Sequence, residues 1–246
     1  MKIGLTRLDY PEMRCIKTSA LYNYKDLRNN NLYGYCKRIP VIKSMVDDFL
    51  YTPIFNINVD IYHAFNYICI TKKNWVVTYE TMVPRFLEIF NDIESHTYSA
   101  KVESYLLKLT QKNCLALLPI SECTKKIQET ILKNYPDVKD EILKKTTVLY
   151  PPQKVICTES DLEKKKNKKI KFLFVGNDFF RKGGGEVIEA FEKLFSKGVL
   201  DPDSVEVTLI GDINKKYNYA LGEFQHDDAY FNEIDLKLRK CPSIEI

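Results

Sequence analysis

At 246 residues, with 45% apolar and 12% aromatic side chains, the chain holds enough material for two packed cores and is excluded from the disordered class. Its net charge of +4, from 37 basic and 33 acidic residues, is too small and too mixed for a dedicated nucleic-acid binder. Seven cysteines, at positions 15, 36, 69, 114, 123, 157 and 241, are odd in number and never spaced C-x-x-C, which argues against a disulfide framework and a zinc site and fits reduced thiols in a cytosolic setting.

The first residues, MKIGLTRLDYPEMR, are charged at Lys2, Arg7, Asp9 and Glu12, so no secretory apolar core fits, and Gly4 reads as a strand residue. No later run reaches the roughly 18 uncharged apolar residues of a spanning helix. Up to residue 55 the text is polar, with Asn29, Asn30 and Asn31 in a cluster, and only the stretch from Val41 to Phe49 predicts a helix, over residues 40–51. From residue 59 short apolar runs alternate with helical segments: Val59 to Tyr62, Trp75 to Tyr79, Cys114 to Pro119, Thr147 to Tyr150, Lys171 to Gly176 and Val205 to Gly211. Such alternation predicts βα units on buried parallel sheets. Ser121 stands where an N-cap belongs, ahead of a helical face made by Ile127, Ile131 and Leu132. Residues 185–197 predict the clearest helix, with an apolar stripe of Val187, Ile188, Phe191, Leu194 and Phe195 and a C′ glycine at Gly198.

Between the Thr147 and Lys171 strands lies a proline pair followed by a lysine run that includes Lys164, Lys165, Lys166, Lys168 and Lys169. It reads as a solvated connection, which places a domain boundary near 151 and gives domains 1–150 and 151–246. Peripheral contact of the lysines with an anionic membrane face is the other reading.

The sharpest local feature is KFLFVGNDFFRKGGGEVIEAFEKL, residues 171–194: a strand, a turn with Arg181, Lys182 and three glycines, then the strong helix. Glycines admit a ligand to backbone N–H groups, a helix N-terminus carries positive partial charge, and two cations stand beside it, so a phosphate would be stabilised there. The spacing is neither that of the P-loop nor that of the dinucleotide fingerprint, and an ordinary βα turn is the alternative.

That segment resembles the opening of the C-terminal domain of family 4 (group 1) retaining glycosyltransferases of the GT-B type. DIYHAFN at 60–66, VVTYETMVPRF at 76–86, LLPISECTKKI at 117–127, TVLYPP at 147–152 and VEVTLIGD at 205–212 are similar to further family segments in the same order, so the resemblance covers roughly residues 58–212. It implies two Rossmann-like α/β domains with mainly parallel sheets, and transfer of a sugar from a nucleoside diphosphate sugar to a glycan or lipid-linked acceptor with retention, in the cleft between them. Arg181 and Lys182, with Gly176, Asn177 and Gly183, would hold the donor's diphosphate, and no metal or other cofactor is implied. Asn177 departs from the family, which often carries an arginine there. Glu80 would contact the donor sugar as the catalytic-site carboxylate; a solvated loop glutamate is the alternative. His63 is expected to be a packing residue rather than a catalyst.

The family continues past the LIGD strand to a segment with two glutamates that hold the donor, and Glu223, Glu233 and Glu245 do not match its context. The resemblance therefore implies a C-terminally truncated member with an incomplete second domain. Such a sheet should expose apolar surface and associate. The expected enzyme is a cytoplasmic glycosyltransferase, peripheral to the inner membrane face if the lysine run docks there. An inactive chain needing a partner that carries the missing half is the second expectation.

Overall fold

Five of the six apolar runs fold as strands of parallel sheets, and two of these strands, Ile61–Phe65 and Trp75–Tyr79, are buried along nearly their whole length, as strands apolar on both faces require. The computed structural model describes residues 1–8, 21–43, 50–86, 89, 92–152, 156, 158, 169–216 and 227–245. The chain divides into two units, Met1–Val155 and Ile156–Ile246.

In the first unit the strands are β1 (Lys2–Leu5), β2 (Asn23–Asp26), β3 (Leu50–Tyr51), β4 (Ile61–Phe65), β5 (Ile68–Cys69), β6 (Trp75–Tyr79) and β7 (Cys114–Pro119). Five of them form one sheet in the order β2-β1-β4-β6-β7, and β3 pairs with β5 separately; every pairing is parallel. The helices whose full span is described are α1 (Leu32–Cys36), α2 (Pro40–Lys43), α3 (Ala100–Thr110), α4 (Glu122–Leu132) and α5 (Pro136–Lys144). Tyr62, Ala64, Trp75, Val77 and Tyr79 share a buried cluster with Val102, Leu106 and Leu109 of α3 and Ile131 and Leu132 of α4. Trp75 is wholly buried, and each large apolar side chain so placed contributes about 1.5–3 kcal/mol.

The second unit contains β8 (Ile170–Asp178), β9 (Val205–Asp212) and β10 (Ile244–Glu245), parallel in the order β10-β9-β8, with α6 (Gly184–Ser196) and α7 (Asp228–Arg239) as crossovers. Phe179, Phe180, Ile188, Phe191, Val207, Leu209, Phe231 and Ile234 form its core. Alternation along β8 and β9 sends Leu173, Val175 and Ile210 to the other sheet face, where they are 68%, 66% and 54% exposed.

Each unit thus has the expected α/β, Rossmann-like character with parallel strands. Local differences have identifiable causes. The helix expected over 40–51 is limited to α2 within the described residues, and Leu50–Tyr51 is a strand because it pairs with β5. Thr147 to Tyr150 is not a named strand: the chain touches β7 through a single bridge at Thr146, after which Thr147 and Leu149 donate to Leu117 and Pro119 carbonyls at 3.0 Å each. The strand expected to stop at Tyr62 runs on to Phe65, since β1 and β6 flank it and both of its faces are covered. Helix α6 ends as expected, with Gly198 at φ 64°.

Candidate functional site

In the first unit β2 lies on one side of β1 and β4 on the other, so the strand order reverses there. Ligands of open α/β sheets gather beyond the carboxyl ends of strands at such a point. Thr6 follows β1, Asn66 follows β4 and Glu80 follows β6. Thr6 is 5% exposed, and its hydroxyl has no hydrogen-bond partner among the described residues. Asn66 is fully buried with φ 58°, a left-handed conformation that asparagine tolerates better than most residues. Its amide nitrogen donates to Glu80 Oε1 at 3.2 Å, and the Glu80 N–H donates to Asn66 Oδ1 at 3.1 Å. Arg85 Nη1 forms an ion pair with the same Oε1. The Glu80 side chain is 22% exposed, so it is a partnered, half-buried carboxylate at a strand end, built to accept hydrogen bonds, and not a solvated loop glutamate.

Helix α4 fixes the loop that carries Glu80 and Arg85. Ser121 caps the helix, its hydroxyl accepting from the Thr124 N–H at 3.1 Å. Thr124 donates to the Glu80 carbonyl at 2.9 Å. Gln128, fully buried, accepts from the Val83 N–H at 2.8 Å and donates to the Val83 carbonyl at 3.0 Å. One face of α4 therefore holds both ends of the turn leading to Arg85.

His63 is buried within β4, and its Nε2 lies 2.7 Å from Thr78 Oγ1. Burial pushes its pKa down to about 4, which keeps the ring neutral and suits a packing residue. The five described cysteines, Cys36, Cys69, Cys114, Cys123 and Cys241, are free thiols. Among the described residues no group of three or more His, Cys, Asp or Glu side chains is placed to hold a metal ion, and no helix is long and apolar enough to cross a membrane. Lys164, Lys165, Lys166, Lys168 and Glu223 lie outside the described residues.

In the second unit the turn after β8 gathers the residues singled out in the sequence. The β8–β9 register slips between Val175 and Asp178, a bulge that takes in Gly176 and Asn177 and re-aims Asp178. A Cβ on Gly176 would stand 2.8 Å from the Lys182 Cβ, so the exposed Lys182 passes directly over the strand end. Gly183, at φ 90°, is both the C-cap of the 3-10 turn Phe180–Lys182 and the N-cap of α6. The next two glycines serve packing: a Cβ on Gly184 would meet the Phe179 ring at 2.5 Å, and one on Gly185 would meet the Tyr230 hydroxyl. Arg181 donates from Nε and Nη2 to Asp178 Oδ2 at 3.0 and 2.6 Å. Glu233, on α7, pairs with Lys237, and Glu245 ends β10.

Sequence reasoning missed Asn66, Arg85, Thr124, Gln128 and Asp178. A signal existed for Asn66, an asparagine closing an apolar strand, and for Asp178, three residues before Arg181. Gln128 offered none, since its partner is 45 residues away.

No family model matches the chain, and no curated protein does. Among solved structures, the apo structure of OtsA is similar over 97% of this chain and 68% of that chain, with a TM-score of 0.39 and 10% identity. A likeness at that level carries no argument about activity.

Proposed function

We propose that the chain serves glycosyl transfer, binding a nucleoside diphosphate sugar through the turn after β8 and passing the sugar to a glycan or lipid-linked acceptor with retention. The observation that supports it is the meeting of Gly176, Asn177, Lys182 and Gly183 at the carboxyl end of a parallel strand and the start of the 13-residue helix α6. Breaking the bond from the anomeric carbon to oxygen leaves negative charge on the diphosphate. Lys182 and the α6 N-terminus stand where that charge would be offset without a metal ion. Within the first unit, Glu80, held by Asn66 and Arg85, offers carboxylate oxygens suited to accepting hydrogen bonds from sugar hydroxyls.

Titration of the chain with UDP and with GDP by calorimetry, repeated on Lys182→Ala, tests this reading. Saturable binding of one nucleotide, weakened about tenfold or more in the variant, supports it; binding of neither nucleotide rejects it. A second reading, a chain inactive until a partner chain completes the donor site, is favoured by the exposed apolar sheet face of Leu173, Val175 and Ile210. It expects no nucleotide binding by the chain alone.

A further inference from the structure

Lys215 joins the turn after β8 from the next βα turn. After β9 the Asp212 carboxylate accepts the Asn214 N–H at 3.0 Å, and the Asp212 carbonyl accepts the Lys215 N–H at 3.2 Å. This tight turn brings the Lys215 ammonium onto Asp178 Oδ1, while Arg181 occupies Oδ2. Two cations from successive turns thus converge on one carboxylate that is 18% exposed, at the carboxyl ends of adjacent parallel strands. The Arg181 and Lys215 side chains are 38% and 25% exposed, so both heads can turn without uncovering the core. Lys215 first, and then Arg181, hold the Asp178 carboxyl below the usual carboxylate range.

We propose that Lys215 is a further diphosphate-binding residue and that Asp178 is a positioning residue, an internal anion that keeps Arg181 and Lys215 aimed at the place a diphosphate takes. The proposal rests on the donor-binding reading above. A carboxylate offers one negative charge to two cations. A diphosphate brings more charge and more acceptor oxygens, so it displaces Asp178 from both heads. Removing the Asp178 charge takes away a competitor and strengthens anion binding, whereas removing Lys215 weakens it. A purely structural ion-pair cluster behaves otherwise, because losing Asp178 would then loosen the turn and weaken binding.

The test is calorimetric titration of the chain with inorganic pyrophosphate, with UDP and with GDP, on the parent, Lys215→Ala, Lys215→Arg, Asp178→Asn and Lys216→Ala. Lys216 is the control, since its ion pair is with Asp235. The expected results are a loss of about tenfold for Lys215→Ala, substantial recovery in Lys215→Arg, a gain of about threefold for Asp178→Asn, and no change for Lys216→Ala. Circular dichroism confirms that each variant is folded. If Asp178→Asn fails to fold, the contrast between Lys215→Ala and Lys215→Arg decides. Pyrophosphate binding equal in Lys215→Ala and the parent, or weakened in a folded Asp178→Asn, overturns the proposal. UDP and GDP that both bind no better than pyrophosphate overturn the donor reading while leaving the anion seat standing. A parent chain that binds none of the three overturns both.

Discussion

Gln128 carries the Glu80 loop on two hydrogen bonds, and replacing it tests whether that loop is held as described. In Gln128→Leu the side-chain volume stays close to the original, but the Val83 N–H and carbonyl, on a residue with no solvent exposure, lose their partners at 2.8 and 3.0 Å. Each unsatisfied buried group costs about 1–3 kcal/mol, so the variant should lose about 3 kcal/mol, a large share of the roughly 5–15 kcal/mol that holds a domain folded. The chain has a single tryptophan, and Trp75 is fully buried in the first unit. Its fluorescence in a urea titration therefore reports that unit. Gln128→Glu sharpens the test. Its carboxylate can still accept from the Val83 N–H but faces the Val83 carbonyl with like charge, so burial and repulsion raise its folded pKa above the unfolded value near 4.3. A raised carboxyl binds its proton more tightly in the folded state, so this variant should be least impaired below about pH 4 and should lose stability as the pH rises through the raised pKa. A Gln128→Leu midpoint within about 0.5 kcal/mol of the parent would show that the clamp does not hold the loop.

Three further outcomes follow from the geometry. His63 has its pKa lowered from 6.5 to about 4 by burial; the unfolded chain takes up the proton first, so stability should fall by about 3 kcal/mol as the pH drops from 6.5 to 4 and level off below. His63→Gln should flatten that slope in the tryptophan-monitored urea titration, and an unchanged slope would assign it to other groups. Gly184→Ala places a methyl group against the Phe179 ring and should destabilise the second unit by about 1–2 kcal/mol despite the better helix propensity of alanine, read as earlier loss of helical circular dichroism; equal stability would mean the ring yields freely. Leu173 and Val175 are exposed together on β8, so the chain should self-associate with rising concentration and Leu173→Lys should reduce it; sedimentation that shows a monomer throughout the concentration series for the parent would count against this.

What was legible in the sequence was whatever is encoded by neighbours. The turn from Gly176 to Gly183 could be read because its glycines, cations and helix start lie within one short segment, and Ser121 because a cap precedes its helix by a fixed interval. Two glycines were legible for the wrong reason: Gly184 and Gly185 admit Phe179 and Tyr230, and only Gly183 needs its positive φ. The polar cluster near residue 30 offered no local pattern to read because its logic is long-range. Asn30 exchanges hydrogen bonds with the Phe55 backbone at 2.8 and 2.9 Å, and Asn31 ties the start of α1 to Leu50 and Thr52. Strand β2, NYKD, is polar enough to pass for a loop and is a strand because β1 supplies its partner.

The same physics explains why the surroundings of Glu80 were half read. Carboxyl ends of parallel strands collect one residue from each of several distant stretches, and each looks locally like an ordinary turn residue. Asn66 and Glu80 meet because β4 and β6 are adjacent and in register, with Phe65 opposite Thr78. Lys215 and Arg181 meet at Asp178 because β8 and β9 are adjacent and a bulge at Gly176 and Asn177 shifts the register by one. Register is thus the missing variable in both cases. It also makes the two clusters separable by mutation: restoring regular pairing at the β8 bulge, by deleting Asn177, should move Asp178 away from Lys215 and abolish the Lys215 dependence of pyrophosphate binding, while the Trp75-reported urea midpoint of the first unit stays where it was. A shift of that midpoint would show that the bulge serves the first unit's folding as well as the second unit's anion seat.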